Sequence, residues 1–283
     1  MDQATEITER KKAMETLVGL TNVFESIASL KITEVKSQVL QSKIFFAELW
    51  NIYKQIRVSE KFGANRAPLV NAINKDLIII VTAEGGFSGD IDEKLINLMI
   101  QEYQPNQQDI IVIGHHGAIQ LVNQGIKFKK YYKLPQKDRD INVGPIIAEV
   151  SRYRTTKVYY QTYVSLLIQD VKRIELGSVV QEESKKVKTE GEVISERTYI
   201  FEPTPFAVID HLEKSMLYIA LEQVILESKL AHYASRFRAM SGAHERAEQT
   251  LTTLRTQLNA AKRATKDRRQ KEILSGFVQA GAM

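Results

Sequence analysis

Cysteine is absent from the 283 residues. That removes disulfides, thiolate metal sites and cysteine nucleophiles together, and it fits a reducing compartment. Long apolar runs are missing as well. A run such as Leu77 to Val81 is far short of the roughly 20 residues that span a bilayer, so direct membrane insertion is not expected and any membrane association runs through a partner. The first residues, Met1-Asp2-Gln3-Ala4-Thr5-Glu6, lack the basic start and apolar stretch of a secretory signal, and no export is implied. Neither sign of charge dominates: 39 basic and 34 acidic residues are interspersed, and a net charge of +5 names no partner by itself. What is present in quantity is apolar residue, 43% of the chain, enough for one large core or two modest ones.

Proline and glycine are scarce where it matters. All six prolines fall between Pro68 and Pro205. Before Pro68 the glycines are Gly19 and Gly63, and between Pro205 and Ser275 the only one is Gly242. Both flanks can therefore run as long uninterrupted helices, and the middle cannot. The organisation this predicts is an N-terminal helix over 1–62, a central domain over 63–204 and a C-terminal helix over 205–283.

The C-terminal flank carries Leu212, Met216, Ile219, Gln223, Leu226, Leu230, Tyr233, Phe237, Met240, His244, Ala247, Leu251, Leu254, Leu258 and Ala261 in alternating steps of four and three. That is a heptad seam. A helix from about Phe206 to about Ser275 would be on the order of 100 Å long at 1.5 Å per residue. Pro203-Thr204-Pro205 marks its start, with Thr204 or a neighbour as N-cap and Pro205 in the first turn. The N-terminal flank repeats the pattern at Val35, Val39, Ser42, Phe46, Leu49, Tyr53 and Ile56, with Leu17, Leu20, Phe24 and Ile27 as an earlier stripe. Because the middle segment brings the chain back, antiparallel pairing of the two flanks is simpler than a dimeric coiled coil. After Ala261 the seam positions become Thr265 and Arg268, so the two-helix contact is expected to end there.

The middle alternates strand and helix: strand Asp76 to Thr82, helix Ile91 to Tyr103, strand Asp109 to Ile113, helix Ala118 to Gln124. That order builds a parallel, Rossmann-like open sheet, an α/β fold. Ile141 to Tyr153 suits a helix. Lys157 to Tyr163, Leu166 to Leu176 and Arg197 to Phe201 suit strands, and Gln181 to Glu192 suits a loop.

Few residues invite chemistry. The turn Glu84-Gly85-Gly86-Phe87-Ser88-Gly89-Asp90 follows a strand, where phosphates often sit, but it fits neither the dinucleotide nor the Walker spacing, and its acids repel an anion. It reads as a structural turn on the α/β surface. His115-His116 has no carboxylate near it in sequence and reads as a solvated loop pair. His211, His232 and His244 lack the one-face spacing of a metal site, and His244 sits in the seam, where a polar group fixes register. No catalytic residue, cofactor or metal is expected. Near the end, Lys262, Arg263, Lys266, Arg268, Arg269 and Lys271 are offset by Asp267 and Glu272. The group is either a solvated face or a surface for a polar or acidic partner.

Several segments together carry a family resemblance. Tyr199-Ile200-Phe201-Glu202-Pro203-Thr204-Pro205 resembles the aromatic or apolar run and Glu-Pro-Ser-Pro that lead into the long C-terminal helix of F-type ATP synthase gamma subunits. Arg236-Phe237-Arg238-Ala239-Met240, Asn259 with Lys262, and Glu272-Ile273-Leu274-Ser275-Gly276 match later segments of that helix at preserved spacing. Val81-Thr82-Ala83-Glu84 with Gly86-Phe87-Ser88-Gly89, and Ile113-Gly114-His115-His116-Gly117, resemble two strand-and-turn motifs of the family. The sequence departs from the pattern at Gly85 (arginine in the family), Asp90 (glycine), Arg263 (usually glutamine) and Lys266 to Gln270. It also lacks a recognisable form of the family's basic N-terminal stretch, having Glu25 to Leu30 near that position.

The resemblance implies a non-catalytic rotor shaft that couples ion-driven rotation of a membrane ring to ATP synthesis or hydrolysis in an alpha/beta hexamer. Its implied partners are the alpha and beta subunits, the epsilon subunit and the ring of c subunits, with no nucleic acid. Its implied place is peripheral, on the cytoplasmic face of an energy-transducing membrane. Arg236, Met240, Lys262, Arg263, Arg268, Arg269 and Glu272 are the positions this reading assigns to hexamer contact. A shaft of a specialised rotary ATPase and a coiled-coil interaction scaffold are the alternatives. An α/β enzyme would need a convergent catalytic set, and none is visible.

Overall fold

The computed structural model describes residues 3–57, 73–135, 137, 141–177 and 200–280. They form two compact units, one of Met1–Ile27 with Phe237–Met283 and one of Ala28–Arg236.

Two helices run through both units: α1, Gln3–Arg57, of 55 residues, and α5, Pro205–Ala280, of 76 residues. Each is long because nothing in it breaks a helix. Gly19 alone interrupts α1, with open space where a side chain would be, a cost of about 1 kcal/mol relative to alanine. Pairs such as Glu6–Arg10, 2.7 Å, and Lys31–Glu34, 2.6 Å, lend local support. The expected cap at the start of α5 is present: the backbone N–H of Ala207 donates to Thr204 Oγ1 at 3.2 Å.

In the larger unit α1 and α5 run antiparallel. The Tyr53 hydroxyl donates to Glu213 Oε1 at 2.6 Å, and Val35, Val39, Phe46, Tyr53 and Ile56 are buried, as are Met216, Ile219, Leu226 and Leu230. In the smaller unit the pairing is antiparallel too. Glu15 lies 3.7 Å from Arg255, and the seam residues Ala247, Leu251, Leu254 and Leu258 are buried.

One stripe is corrected. Leu17, Leu20 and Ile27 are 44%, 51% and 47% exposed. The buried and half-buried line of α1 instead runs Ala4, Ile7, Lys11, Met14, Val18, Thr21 and on to Ala28 and Ile32, in the four-and-three steps that keep a heptad facing its partner. Leu17, Leu20 and Ile27 lie on a neighbouring face, whereas the unbroken spacing passes through a lysine and a threonine.

The larger unit also holds a five-stranded sheet in the order β3-β2-β1-β4-β5, made of β1 (Ile73–Val81), β2 (Gln108–Ile113), β3 (Lys130–Tyr132), β4 (Tyr153–Tyr163) and β5 (Gln169–Glu175). The first four are parallel and β5 returns antiparallel along β4. Helices α2 (Ile91–Glu102) and α3 (His115–Asn123) pack Leu95, Ile96, Met99 and Leu121 onto Ile78, Ile80, Ile110, Val112 and Tyr159. Leu77, Ile79, Val81, Ile111 and Ile113 point to the other face and are equally buried. A continuous apolar run is what a central parallel strand covered on both faces requires.

Smaller differences have local causes. The short β3 lies at the sheet's edge and shows no apolar run. Helix α3 starts at His115, three residues early, because Gly114 takes φ +98° and turns the chain directly into it. Helix α4 is only Gly144–Val150. Leu166 to Ile168 form the hairpin before β5, closed by N–H donation from Ser165 to the Ile168 carbonyl at 2.9 Å. The loop expected at Gln181 to Glu192 lies outside the described residues, as does the strand expected at Arg197 to Phe201 apart from Ile200 and Phe201, which are not in a strand.

Candidate functional site at the seat and tip of the long helix

In an open α/β sheet, ligands bind beyond the carboxyl ends of the strands, where the strand order reverses. Here that point lies between β1 and β4. It is filled by the chain itself. Ser228 of α5 donates to Gln161 Oε1 at 2.6 Å, and Gln161 donates to Asp92 Oδ1 at 2.8 Å. His232 of α5 places Nε2 3.4 Å from the same oxygen. Further along α5 the Ser235 hydroxyl donates to the Ser88 carbonyl at 2.7 Å, and Arg236 donates to the carbonyls of Gly85 and Gly86 at 3.3 and 3.1 Å. Thr162 bonds Glu227, 2.5 Å. Residues 227, 228, 232, 235 and 236 share one face of α5, beside the seam. Fully buried Ala231 and Ala234 lie on the same stretch.

This arrangement decides the glycine-rich turn. Its carbonyls are held by an arginine of the same chain, and Asp92 and Glu93 stand in the first turn of α2, so no anion is favoured there. The turn is a seat for α5. Its exposed residues, Gly85, Gly86, Phe87, Gly89 and Asp90, lie on the surface, while Ser88 is buried.

The reading of His115-His116 as a solvated loop pair is corrected. Both belong to α3, and His116 Nδ1 lies 2.7 Å from Asp92 Oδ2. The carboxylate comes from 24 residues earlier in the chain, which no local reading of the histidines reveals. Two glycines make the approach possible: a Cβ on Gly114 would stand 2.1 Å from the Thr82 carbonyl oxygen, and one on Gly117 would stand 2.5 Å from the Thr82 side chain. His244 behaves as a seam polar residue, with Nδ1 3.3 Å from both Thr21 Oγ1 and the Val18 carbonyl. The described residues contain no group of three or more His, Cys, Asp or Glu side chains that could hold a metal.

Of the seven positions assigned to a partner, two are used internally. Arg236 grips the turn and stacks over the Tyr233 ring at 5.8 Å. Met240 is 8% exposed in the seam and offers a partner almost nothing. The other five lie where the seam ends. Ala261 and Thr265 are half-buried, and every residue from Lys266 to Gly276 is exposed. Lys262 and Arg263 are exposed as well. Arg268 Nε and Glu272 Oε1 pair at 3.0 Å on the bare helix. The ending foreseen from Thr265 and Arg268 is what the burial records.

The ATP synthase family model matches residues 3–278. Curated ATP synthase gamma chains of Chlorobaculum parvum and Chlorobium limicola are each 24% identical over 98% of this chain and 98% of their own length. That of Cytophaga hutchinsonii is 21% identical over the same shares. Among solved structures, a chain of the Euglena gracilis mitochondrial ATP synthase superposes with a TM-score of 0.66 at 11% identity, covering 98% of this chain and 95% of that one. A central-stalk chain from Tetrahymena thermophila gives 0.58 at 17% identity, over 79% and 99%. The chain belongs to the ATP synthase gamma family.

Proposed function

We propose that this chain is the non-catalytic rotor shaft of an F-type ATP synthase. The bare end of α5, carrying Lys262, Arg263, Arg268, Arg269 and Glu272, meets the alpha/beta hexamer. The α/β body meets the epsilon subunit and the c-ring on the cytoplasmic side of the membrane. One observation carries the reading. In a chain matched along its length by gamma subunits, α5 continues past the end of its own seam as a helix that is exposed, among the described residues, at every position from Lys266 to Gly276.

The mechanism follows from asymmetry. A two-helix shaft inside a ring of alternating subunits presents each catalytic subunit with a different face, and each is biased toward a different conformation in proportion to its differential contact. Turning the shaft permutes the biases. Such a tip must not adhere strongly at one angle, and exposed mixed charge serves better than an apolar anchor. Among the described residues no helix is long and apolar enough to cross a membrane, which leaves ion passage to the partner ring.

The test is co-expression with alpha and beta subunits, followed by size-exclusion chromatography and an ATPase assay. One copy joining six, with stimulated turnover, is the expected result. Combined reversal of the tip charges (K262E, R263E, R268E, R269E, E272K) lowers turnover and torque. Unchanged turnover in that variant removes the assigned contact, and a chain that ignores the hexamer and self-associates removes the rotor reading.

A further inference from the structure

Asp92 is wholly buried, and its oxygens are approached from four elements. His116 of α3 bonds Oδ2 at 2.7 Å, with the Ala83 N–H beyond β1 at 3.4 Å from the same atom. Gln161 of β4 donates to Oδ1 at 2.8 Å. His232 of α5 stands 3.4 Å from Oδ1, yet neither of its ring nitrogens makes an aligned hydrogen bond to any of the described residues. Its contact with the carboxylate is therefore an electrostatic approach held by packing. One carboxylate faces two imidazoles, one of them a third exposed and the other 6% exposed.

A single negative charge balances a single proton. We propose that Asp92, His116 and His232 form a one-proton latch, closed between α5 and the α/β body when His116 alone is protonated, and weakened both by loss of that proton and by uptake of a second on His232.

The groups facing His232 are Asp92 of α2, His116 of α3 and Arg236 of its own helix, and β4 contributes the uncharged Gln161. Burial is the main force holding the His232 imidazole below its ordinary value. Attraction to Asp92 opposes this, and the Arg236 and His116 cations reinforce it. The hydrogen bond to Asp92 raises His116 against a smaller cost of burial. Burial works to raise Asp92; against it stand the charge of His232, present only when that ring is protonated, the hydrogen bond and charge of His116, and the Ala83 N–H, and the net displacement of the carboxyl is downward.

These directions have opposite consequences for stability. A raised His116 stabilises fully below about 6.5, its unfolded value, and that stability is lost as pH rises through the folded value. A depressed His232 costs nothing above about 6.5, but below it the open state takes a proton that the closed state refuses. Asp92 and His116 both belong to the α/β body and stay neighbours when α5 lifts, so the alkaline limb is the shallower one, and the latch is strongest above about pH 6.5, below the raised value of His116. Asp92 begins to matter only below its ordinary value of 3.8, outside this window.

The experiment is amide hydrogen exchange of the intact chain at Ser228 to Arg236 between pH 4.5 and 8.5, corrected for intrinsic exchange, for the wild type, H232Q and H116Q. A bell-shaped protection profile is expected, its acid limb approaching a tenfold rise in opening per pH unit. H232Q loses the acid limb and keeps the alkaline one; H116Q loses the alkaline limb and shows a weaker acid limb, because His116 no longer opposes a proton on His232. An acid limb that persists in H232Q, or a wild-type profile without a maximum, overturns the proposal. Should a variant fail to fold, imidazole NMR of the wild type decides. His232 must stay neutral well below pH 6.5 while His116 titrates above it, and two ordinary titrations reject the latch. None of these readings involves the hexamer, so the latch and the rotor assignment stand or fall separately.

Discussion

Helix α5 lives in two environments. From Met216 to Ser235 most of its circumference is buried, including the polar Ser228, His232 and Ser235, whereas from Lys266 to Gly276 every side chain is exposed. The first stretch is fixed by directional bonds at the mouth of the sheet. The second, among the described residues, pairs only within its own helix, Arg268 with Glu272. The contrast teaches that identical secondary structure says little about role. What differs is whether polar groups are spent inside the molecule or left for something outside it, and a part that transmits torque needs both kinds of end. Rotational slip of α5 in its seat would waste the motion, and a buried hydrogen-bonded row resists slip better than an apolar seam, whose contacts are non-directional.

The largest effect is expected where the buried row is broken at its centre. Asp92→Ala leaves the donors of His116 and Gln161 without their carboxylate and should cost roughly 3–5 kcal/mol, the range for removing one partner of a buried pair. Urea unfolding followed by the fluorescence of Trp50, the chain's single tryptophan, reads this within the same unit. A loss under about 1 kcal/mol, the size of an ordinary exposed pair, would erase the distinction between seat and tip. Next comes the seam. Leu254→Ala removes a buried side chain from a two-helix contact, where neighbours can partly collapse, so roughly 2 kcal/mol is expected, the lower end for such truncations, measured by loss of helix in far-ultraviolet circular dichroism.

How much of this was legible in the sequence follows the same division. The seam and its ending at Thr265 could be read because heptad contacts are periodic along the chain, and the apolar run at Leu77 to Val81 marked a central strand for the same reason. The Asp92 cluster could not. Its members lie at 92, 116, 161, 228 and 232, and no period connects them. A usable signal existed: polar residues at 227, 228, 232, 235 and 236 form a second stripe beside the seam, with small Ala231 and Ala234 between, which together indicate a third element packed on α5. The misread leucines of α1 show the converse failure, in which composition was followed against spacing. Arg236 and Met240 were carried by likeness to a motif, and a motif records where residues recur without saying which way they face.

A smaller effect tests the register. His244→Leu replaces a half-buried seam imidazole by an apolar side chain, and stability should hold or rise slightly, because a polar group at such a position fixes pairing at some cost. The loss should appear in specificity. The chain has no native cysteine, so Glu15→Cys with Arg255→Cys, whose native charged ends stand 3.7 Å apart, reports alignment by the yield with a bifunctional thiol reagent long enough to span the two removed side chains. A lower yield in the leucine background is expected. An equal yield would assign register to the apolar residues alone.

The smallest effect on stability belongs to the tip. Arg268 and Glu272 pair on an exposed surface, at 83% and 62% side-chain exposure, where solvent screening leaves such pairs worth about 0–1 kcal/mol. Arg268→Ala and Glu272→Ala should each leave the unfolding midpoint nearly unchanged, and the double variant should show little coupling beyond that of an i, i+4 pair, about 0.3–0.5 kcal/mol. Raising the salt concentration should shrink even that. In the assembled ATPase the same substitutions should alter turnover and its salt dependence, since exposed charges that stabilise their own helix so little remain available to a partner. Equal behaviour in the isolated chain with altered turnover in the complex is the signature of a tip made for contact outside itself. Destabilisation of the isolated chain by more than about 1 kcal/mol would instead mean that the bare end of α5 has an internal role, and the contrast with the seat would lose its second half.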